Sequence, residues 1–509
     1  MHRGDFMNPS KWIKEIQKTS YPALEQDIYT DTLIIGAGLT GLTTGYYLSQ
    51  ATDNFIIVEA NHIGYGASGR NTCKVTAQHG LIYKSIIQKY GYEVAKQYYT
   101  ANMEAIESIE EIIHKHQIAC DFKRCNSIVF TQETELIANI QDEYQACLDL
   151  EIPCSFIDTV KYPITIQAAL MFPNQAKFHP LKYMLALAEI IKKAGISIYE
   201  QSPVTNIIKN EDSYIAMCNG RKIHARNIVQ ATQFPFYDQH QFMFARTYSM
   251  SSSILCTPIT TNYGDDMLIN VESPSISFNS LTSHDQTYLM IGGNSHKTGQ
   301  LQKEDSDYVK RAQKTFGIVN FEDMWSTQDY MSFDHIPYIG KLDKHNDQLY
   351  IATGFSKWGN TTSNIAGKLL CAYLLKQESQ YMKIFDPHRF ASLFSLAFIK
   401  ENMNVAYEFI KGKLQQPDEE YPQKGHAKVM QINHHHYGVY CDEQDQLHIV
   451  DITCPHLGCV CTFNIHDKTW DCPCHGSRYS YTGEIIKGPS TRKLNSYGEG
   501  LNRIDPHIV

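Results

Sequence analysis

Four residues near the C-terminus place two kinds of metal-binding side chain in two short arms. In the stretch CPHLGCVCTFNIHDKTWDCPCHGSRY, Cys454 and His456 form the first arm, and Cys472 and His475 form the second. Each arm offers one thiolate and one imidazole. A zinc finger would keep like ligands together, two cysteines and then two histidines. A binuclear iron–sulfur centre with two cysteines on one iron and two histidines on the other needs this mixture.

The distribution of the cysteines supports a metal site. Fourteen cysteines in 509 residues are too few for a disulfide scaffold. Eight are scattered before residue 400 and are expected to be reduced, buried thiols. The other six crowd into one short region, which favours metal binding: Cys441, Cys454, Cys459, Cys461, Cys472 and Cys474.

The two arms resemble those of the Rieske family. By this resemblance, the two cysteines of the arms bind one iron and the two histidines bind the other. Each arm also carries an extra cysteine, Cys459 in CPHLGC and Cys474 in CPCHGS. In Rieske proteins of the cytochrome bc type such a pair forms a disulfide that ties the two loops, and the resemblance implies the same here. Cys461 and Cys441 have no partner in this scheme and are expected to be structural thiols.

The residues after the second arm also resemble the bc type. Ser477 follows His-Gly, where the Rieske domains of ring-hydroxylating dioxygenases usually carry tryptophan, and Tyr479 lies two residues on. The resemblance implies that both hydroxyls donate hydrogen bonds to the cluster sulfurs. Such bonds stabilise the more negative, reduced cluster, so we expect a potential in the upper part of the Rieske range of roughly −150 to +300 mV.

A glycine turn near the N-terminus has the spacing of a dinucleotide site. GAGLTG supplies Gly36, Gly38 and Gly41 in G-x-G-x-x-G order, after an apolar run and before a helical pattern. Glu59 ends the next apolar run. The glycines would permit the tight turn, the approach of a pyrophosphate and close helix–strand packing. The helix N-terminus would face the phosphates, and Glu59 would accept the ribose hydroxyls.

The stretch NHIGYGASGRNTCKVTAQHG, directly after Glu59, resembles the D-amino-acid-oxidase-like family of FAD enzymes, which includes sarcosine and glycine oxidases. Family members carry a G-x-S-G-R-N-like stretch that runs under the flavin. HIPYIG, ATGFSKWGNT and IVQATQFP are further matches, and the resemblance covers about residues 28–385. It implies non-covalent FAD, held by the residues above and by Ser68, Arg70, Asn71, Thr72, Val204, Thr232, Gly354, Gly359, Asn360 and Thr361.

The electron donor is expected to be an organic molecule, because no second glycine fingerprint for a nicotinamide is present. The family resemblance implies oxidation of a C–N bond in an amine or amino acid. No catalytic side chain is assigned. Arg246 could pair with a substrate carboxylate, and His79 and Lys357 lie near flavin-contacting stretches, but structural roles are expected for all three.

The pattern of elements predicts the fold class. We expect an α/β FAD-binding Rossmann-type domain with an inserted antiparallel-sheet substrate domain, and a small all-β Rieske domain. The predicted ranges are 28–385 for the oxidoreductase, 386–424 for an amphipathic helix and a polar linker (QQPDEEYPQKGHA), and 425–509 for the Rieske domain. The helix is expected to dock against the first domain.

Charge and hydrophobicity exclude other classes of function. A net charge of −9 gives no electrostatic argument for nucleic-acid binding. No apolar run is long enough for a membrane span, and the N-terminus lacks the pattern of a secretory signal, so a cytoplasmic location is expected. The sequence favours a dehydrogenase that passes electrons from FAD through the cluster to an unknown acceptor. An oxidase that uses O₂, with the Rieske domain as a sensor, and an electron-transfer protein without an organic substrate remain as alternatives.

Overall fold

The computed structural model describes residues 8–17, 20–239, 241–300, 305–389, 396–418, 420–432 and 435–497. The helices are α1 (Lys11–Glu15), α2 (Leu39–Leu48), α3 (Tyr83–Tyr90), α4 (Tyr92–His116), α5 (Ile137–Asp149), α6 (Pro180–Lys193), α7 (Asp305–Phe316), α8 (Gly359–Leu374), α9 (Met382–Phe385) and α10 (Leu396–Lys413).

The strands before α10 are β1 (Ile28–Ile35), β2 (Phe55–Val58), β3 (Lys74–Val75), β4 (Lys123–Thr131), β5 (Ser155–Ile157), β6 (Ala168–Lys177), β7 (Ser197–Tyr199), β8 (Val204–Asn210), β9 (Ser213–Cys218), β10 (Arg221–Gln230), β11 (Thr247–Ile259), β12 (Met267–Asn270), β13 (Ser277–Ser283), β14 (Gln286–Lys297), β15 (Asp323–Ser332), β16 (Tyr338–Lys341) and β17 (Leu349–Thr353). Those after it are β18 (Ala427–Ile432), β19 (His435–Cys441), β20 (Leu447–Asp451), β21 (Thr462–Asn464), β22 (Thr469–Asp471), β23 (Arg478–Ser480) and β24 (Ile485–Lys487).

The first sheet carries the glycine turn. Its strand order is β16-β17-β10-β1-β2-β7, with parallel pairing from β17 to β7 and with β8 and β9 extending β10. Every residue of β2 is buried, as expected for a parallel strand covered on both faces. Helix α2, which follows the turn, packs closely on α8. Gly367 of α8 makes this approach possible, because a Cβ there would lie 2.6 Å from Cγ2 of Thr43 in α2.

The second sheet is the inserted one. Its order is β15-β11-β14-β13-β12-β4-β6-β3, with β5 paired to β6. The pairs are antiparallel except β4–β12, which is parallel. The predicted α/β domain with an inserted, mainly antiparallel sheet is therefore confirmed.

A small all-β unit follows α10. Strands β18–β20 form one antiparallel sheet, and β21–β24 form another. The fully buried Trp470 lies in their shared core with Tyr479 and Ile452. Between Leu414 and Tyr497, the described residues contain no helix, in agreement with the predicted all-β domain.

Helix α10 contacts both units. Val405 and Phe409 pack on the core of the all-β unit. Asn402 Nδ2 donates to the Ala245 carbonyl, 3.2 Å away, and Glu401 forms an ion pair with Lys297 of the inserted sheet. The prediction that this helix docks on the first domain was therefore incomplete, because its buried face also packs on the all-β unit.

Among the described residues, no helix combines the length and the apolarity that crossing a bilayer would require.

Candidate functional site

A cavity of about 840 Å³ lies where the first sheet, the inserted sheet and the all-β unit meet. Of the residues predicted to hold the dinucleotide, only Gly41 and Thr361 do not line it. The fold therefore brings the other residues predicted to hold the dinucleotide together around one cavity, although they come from separate stretches of the chain: Gly36, Gly38, Glu59, Ser68, Arg70, Asn71, Thr72, Val204, Thr232, Gly354, Gly359 and Asn360.

The glycine turn is shaped by contacts that a side chain would block. Gly36 has φ of +105°, and a Cβ there would lie 2.6 Å from the Ala231 carbonyl oxygen. A Cβ on Gly41 would lie 1.8 Å from the Gly36 carbonyl oxygen. Gly41 therefore allows helix α2 to approach the turn, which explains why it lies outside the cavity wall. The positive φ of Gly36 permits the tight turn, in which its backbone passes close to Ala231, just after the end of β10.

The carboxylate of Glu59 is held in place by backbone amides. Oε2 accepts from Ala37 N at 2.8 Å, and Oε1 accepts from Asn61 N at 2.9 Å. Burial raises the pKa of Glu59, and these two bonds act against that rise. Each oxygen keeps a second lone pair for a hydroxyl in the cavity. The adjoining wall is also ordered by a side chain, since Ser68 Oγ accepts from Leu39 N at 3.1 Å.

An amide pair joins the loop after β2 to the start of α8. Asn71 Nδ2 donates to Asn360 Oδ1 at 2.9 Å, and Asn360 Nδ2 donates to the Lys74 carbonyl at 2.8 Å. Thr361 Oγ1 donates to the Thr76 carbonyl at 3.0 Å, so its side chain points into the protein. These residues shape the cavity wall by fixing two segments against each other.

Several other predicted residues contribute through the backbone or through remote contacts. Arg70 donates to the Asn8 carbonyl at 2.8 Å, and burial lowers its pKa to about 10. The Thr72 carbonyl accepts from Asn279 Nδ2 at 2.8 Å, and Thr232 Oγ1 donates to the Phe234 carbonyl at 2.7 Å. Gly354 has φ of +72°, which glycine adopts without strain. Val204 begins β8 at the cavity wall.

Two lysines lie in the cavity wall: Lys357, which was expected to be structural, and Lys74, which was not predicted. Lys357 Nζ donates to Ser252 Oγ at 3.1 Å and to Ser295 Oγ at 2.5 Å. Lys74 Nζ donates to Ser277 Oγ at 3.2 Å. Lys357 is exposed to the cavity and Lys74 is partly buried, and desolvation by the surrounding walls lowers the pKa of each lysine to about 8. The serine-rich strands were the only signal in the sequence for these lysine contacts. It could not be used, because only the topology brings the serines next to the lysines.

The other candidate side chains have structural contacts. Arg246 donates to the Pro387 carbonyl at 2.7 Å and does not line the cavity. His79 lines it, but its ring nitrogens lie 2.7 Å from Tyr98 Oη and 2.7 Å from the Thr76 carbonyl oxygen. Burial lowers the pKa of His79 to about 3, which keeps the imidazole neutral.

The cysteines and histidines of the two arms converge in the all-β unit. The Sγ atoms of Cys454, Cys461 and Cys472 all lie within 4.8 Å of one another. The rings of His456 and His475 have centroids 5.0 Å apart. The buried Nδ1 of His456 has no hydrogen-bond partner among the described residues, as a nitrogen that binds a metal requires. The donor set therefore fits an iron–sulfur cluster with mixed ligands. Cys461 was not expected so close to it.

The loops around these ligands are joined covalently. Cys459 and Cys474 form a disulfide with a Cα–Cα distance of 6.4 Å. Tyr479 Oη lies 3.2 Å from Cys454 Sγ. Ser477 Oγ accepts from Ser490 N at 3.0 Å, so its own proton is left for another acceptor. The hydroxyls of Ser477 and Tyr479, which were predicted to donate to the cluster, are thus both buried in the all-β unit beside the two arms.

The two sites share a wall. Tyr330, which lines the cavity, donates to the carbonyl oxygens of His475 and Gly488, each 3.1 Å away. The Phe244 ring lies with its centroid 5.1 Å from that of His475 and 5.8 Å from that of His456. The all-β unit also contributes directly to the cavity lining, with Ile485, Ile486, Lys487, Gly488, Ser490 and Thr491.

Known proteins match both parts of the chain. The FAD dependent oxidoreductase family model matches residues 31–373, and the Rieske [2Fe-2S] domain model matches residues 414–498. YhfW of Bacillus subtilis (strain 168), which is named for a Rieske 2Fe-2S iron–sulfur protein, is 37% identical over 489 residues, covering 95% of this chain and 96% of YhfW.

Two further matches concern the first part of the chain. Gamma-glutamylputrescine oxidoreductase of Escherichia coli (strain K12) is 23% identical over 389 residues, covering 72% of this chain and 89% of that protein. The crystal structure of glycine oxidase from Geobacillus kaustophilus aligns with a TM-score of 0.60 at 16% identity, covering 71% of this chain and 99% of the oxidase, a likeness of fold. The chain belongs to the FAD dependent oxidoreductase family, carries a Rieske domain, and binds FAD and a 2Fe-2S cluster.

Proposed function

We propose that this protein oxidises a C–N bond of an amino acid or related amine and passes the electrons through its cluster to an external acceptor. Bound FAD supplies a two-electron acceptor for a hydride, and the cluster supplies a one-electron carrier. The observation that carries the proposal is the shared wall, in which Tyr330 lines the cavity and bonds to the His475 carbonyl.

We propose specific holders for both groups. The residues in the cavity wall hold FAD, with Glu59 accepting from the ribose and the glycine turn admitting the pyrophosphate. The imidazoles suit iron because burial lowers the pKa of both, that of His475 to about 4, and a neutral ring is the form that binds a metal. The proposed ligands are Cys454, His456, Cys472 and His475, with Ser477 and Tyr479 as hydrogen-bond donors to the cluster.

The lysines of the cavity favour a substrate with an anionic group. Lys357 and Lys74 direct their ammonium groups at serine and threonine hydroxyls in the wall. A carboxylate in the cavity would gain a charge-assisted hydrogen bond from each cation. Since the E. coli relative is named for an amine and the structural relative is named a glycine oxidase, an amino acid or carboxylated amine is the favoured substrate class.

The remaining wall residues orient the substrate and exclude water. Trp358 stacks on His79 with ring centroids 4.8 Å apart, which places a flat apolar surface at the start of α8. Asp329 accepts from Lys357 N at 2.6 Å and from Tyr330 N at 2.8 Å. These bonds fix the loop that carries Lys357, so that its position does not depend on the substrate.

Anaerobic titration tests the proposal. The purified holoprotein is mixed with single amino acids and amines while flavin and cluster absorption are followed separately. We expect one carboxylated amine to bleach the flavin, and the cluster to bleach within the same molecule at a rate independent of protein concentration. A Cys472→Ala variant is the matched control, since its flavin should still bleach.

Other outcomes identify the rival functions. A flavin that bleaches while the cluster stays oxidised would overturn the relay. Stoichiometric peroxide in air, with the same turnover in Cys472→Ala, would show an oxidase in which the Rieske domain is accessory. A flavin that no amine or amino acid reduces would favour an electron-transfer protein without an organic substrate.

A further inference from the structure

Helix α10 has an exposed apolar face of unusual regularity. Large apolar side chains recur at intervals of three or four residues, so they form one stripe along the helix. Each is about half exposed or more: Ile399 49%, Met403 67%, Tyr407 60%, Ile410 57% and Leu414 75%. We call these five residues the α10 stripe. The opposite face of the helix is buried by Val405 and Phe409 on the all-β unit, so the stripe is not needed for the fold.

Two exposed lysines flank the stripe without an acidic partner among the described residues, Lys400 and Lys413. Lys411 is also exposed, but it pairs with Glu408 of the same helix. The other acid, Glu401, pairs with Lys297 of the inserted sheet. The exposed surface of the helix is therefore apolar in the middle and cationic at its sides.

We propose that the α10 stripe binds the surface of an anionic lipid membrane. An amphipathic helix with an apolar stripe and flanking lysines lies in the plane of the interface, with its apolar side chains at the boundary of the headgroups and acyl chains. The lysines complement anionic headgroups, whereas a second copy of the same stripe would bring like charges together.

The helix that carries the stripe meets the loops of the cluster ligands with its opposite face. A Cβ on Gly458 would lie 3.9 Å from Phe409 Cε2, so the loop of the first arm rests on α10. The neighbouring Leu457 is 50% exposed. The disulfide sulfur of Cys474 in the second arm also meets the helix, with Sγ 3.9 Å from the Val405 carbonyl oxygen. Membrane binding through α10 would hold the cluster domain at the lipid surface, within reach of a lipid-soluble electron acceptor.

Cosedimentation with vesicles tests the proposal. The holoprotein is mixed with vesicles of phosphatidylcholine alone or of three parts phosphatidylcholine to one part phosphatidylglycerol. We expect sedimentation with the anionic vesicles, which added salt weakens, and about a tenfold smaller bound-to-free ratio for the double variant Met403→Glu/Ile410→Glu. Val319→Glu is the matched control, because Val319 is 80% exposed and lies off the helix.

The possible results separate the occupants of the stripe. Retained flavin and cluster absorption shows that the double variant is folded. If the native protein ignores anionic vesicles, or if the double variant binds them as the native protein does, the proposal is wrong. If the double variant changes a dimer to a monomer in gel filtration and the native protein does not bind vesicles, the stripe is an interface between copies.

Discussion

The hydroxyl of Tyr330 lies 3.1 Å from the carbonyl oxygen of His475 and joins the cavity wall to a loop of the cluster domain. It bonds equally to the Gly488 carbonyl, so one side chain holds two segments of the second domain. On the same strand, β15, Gln328 Nε2 donates to the Gly476 carbonyl at 2.7 Å. These polar contacts to backbone, together with the packing of Phe244 and α10, set the position of the cluster domain relative to the cavity.

The first prediction concerns this contact. Tyr330→Phe removes the two hydrogen bonds and should weaken docking by about 1–3 kcal/mol. We expect slower transfer of electrons to the cluster by about threefold to tenfold, with an unchanged rate of flavin reduction by substrate. Stopped-flow absorption at flavin and cluster wavelengths measures the two steps. Tyr162→Phe, which loses a bond to the Asp266 carbonyl away from the interface, should change neither.

The second prediction concerns the cluster potential. Tyr479→Phe removes the hydroxyl that lies 3.2 Å from Cys454 Sγ. Losing a hydrogen bond to a charged sulfur should lower the potential by about 50–100 mV, the equivalent of about 1–2 kcal/mol for one electron. Potentiometric titration followed by electron paramagnetic resonance measures it. Tyr481→Phe, two residues on, should leave the potential unchanged, and an equal shift there would refute a local effect.

The third prediction concerns Cys461, which lies beside the proposed cluster ligands but is not expected to bind iron. Its Sγ lies within 4.8 Å of the Cys454 and Cys472 sulfurs, yet Cys461 is not among the proposed ligands. Cys461→Ala should retain the visible spectrum of the cluster, whereas Cys454→Ala should abolish it. Iron and acid-labile sulfide analysis confirms the content. Loss of the cluster in folded Cys461→Ala protein would mean that the ligand set is different.

The fourth prediction concerns Lys357 and pH. Its pKa is lowered to about 8, so the side chain is charged below that pH and neutral above it. For an anionic substrate, kcat/KM should therefore fall as the pH rises through 8. Lys357→Met should raise KM by about 10- to 100-fold, since a hydrogen bond to a charged group contributes about 1.5–3 kcal/mol. Steady-state kinetics across the pH range measures both effects.

The matched control for this prediction is the substrate. The corresponding amine without its carboxylate should show little loss of affinity in Lys357→Met. If both compounds lose affinity equally, Lys357 acts on the cavity's shape instead of on the anionic group. Lys192→Met changes a lysine with 62% side-chain exposure and should leave the kinetics as they are.

The sequence predicted the parts of the molecule whose chemistry is local. The glycine turn, the arms and the acid after β2 are each specified by residues within a few positions, and the topology of parallel strands then brings them together. Lys74 was missed because its partner Ser277 lies 203 residues away along the chain, on another strand of the same inserted sheet. Cys461 was missed because it lies outside the two arms, and its thiol approaches the other two only after β21 and β22 pair.

The contact between the domains was also beyond the sequence. Tyr330 is an ordinary strand residue in β15, and nothing in its neighbours indicates that it meets a second domain. Its role follows from how two folded surfaces fit. The same holds for α10, whose pattern predicted an amphipathic helix but not that its exposed side would be as apolar as the buried one.

The shared cavity wall has a consequence for how the holoprotein is made. Residues 485–488 of the cluster domain line the same space as the glycine turn. We expect a dinucleotide to enter before the cluster domain docks, because that domain then covers part of the cavity. The rate at which FAD is released should then report how often the two domains separate.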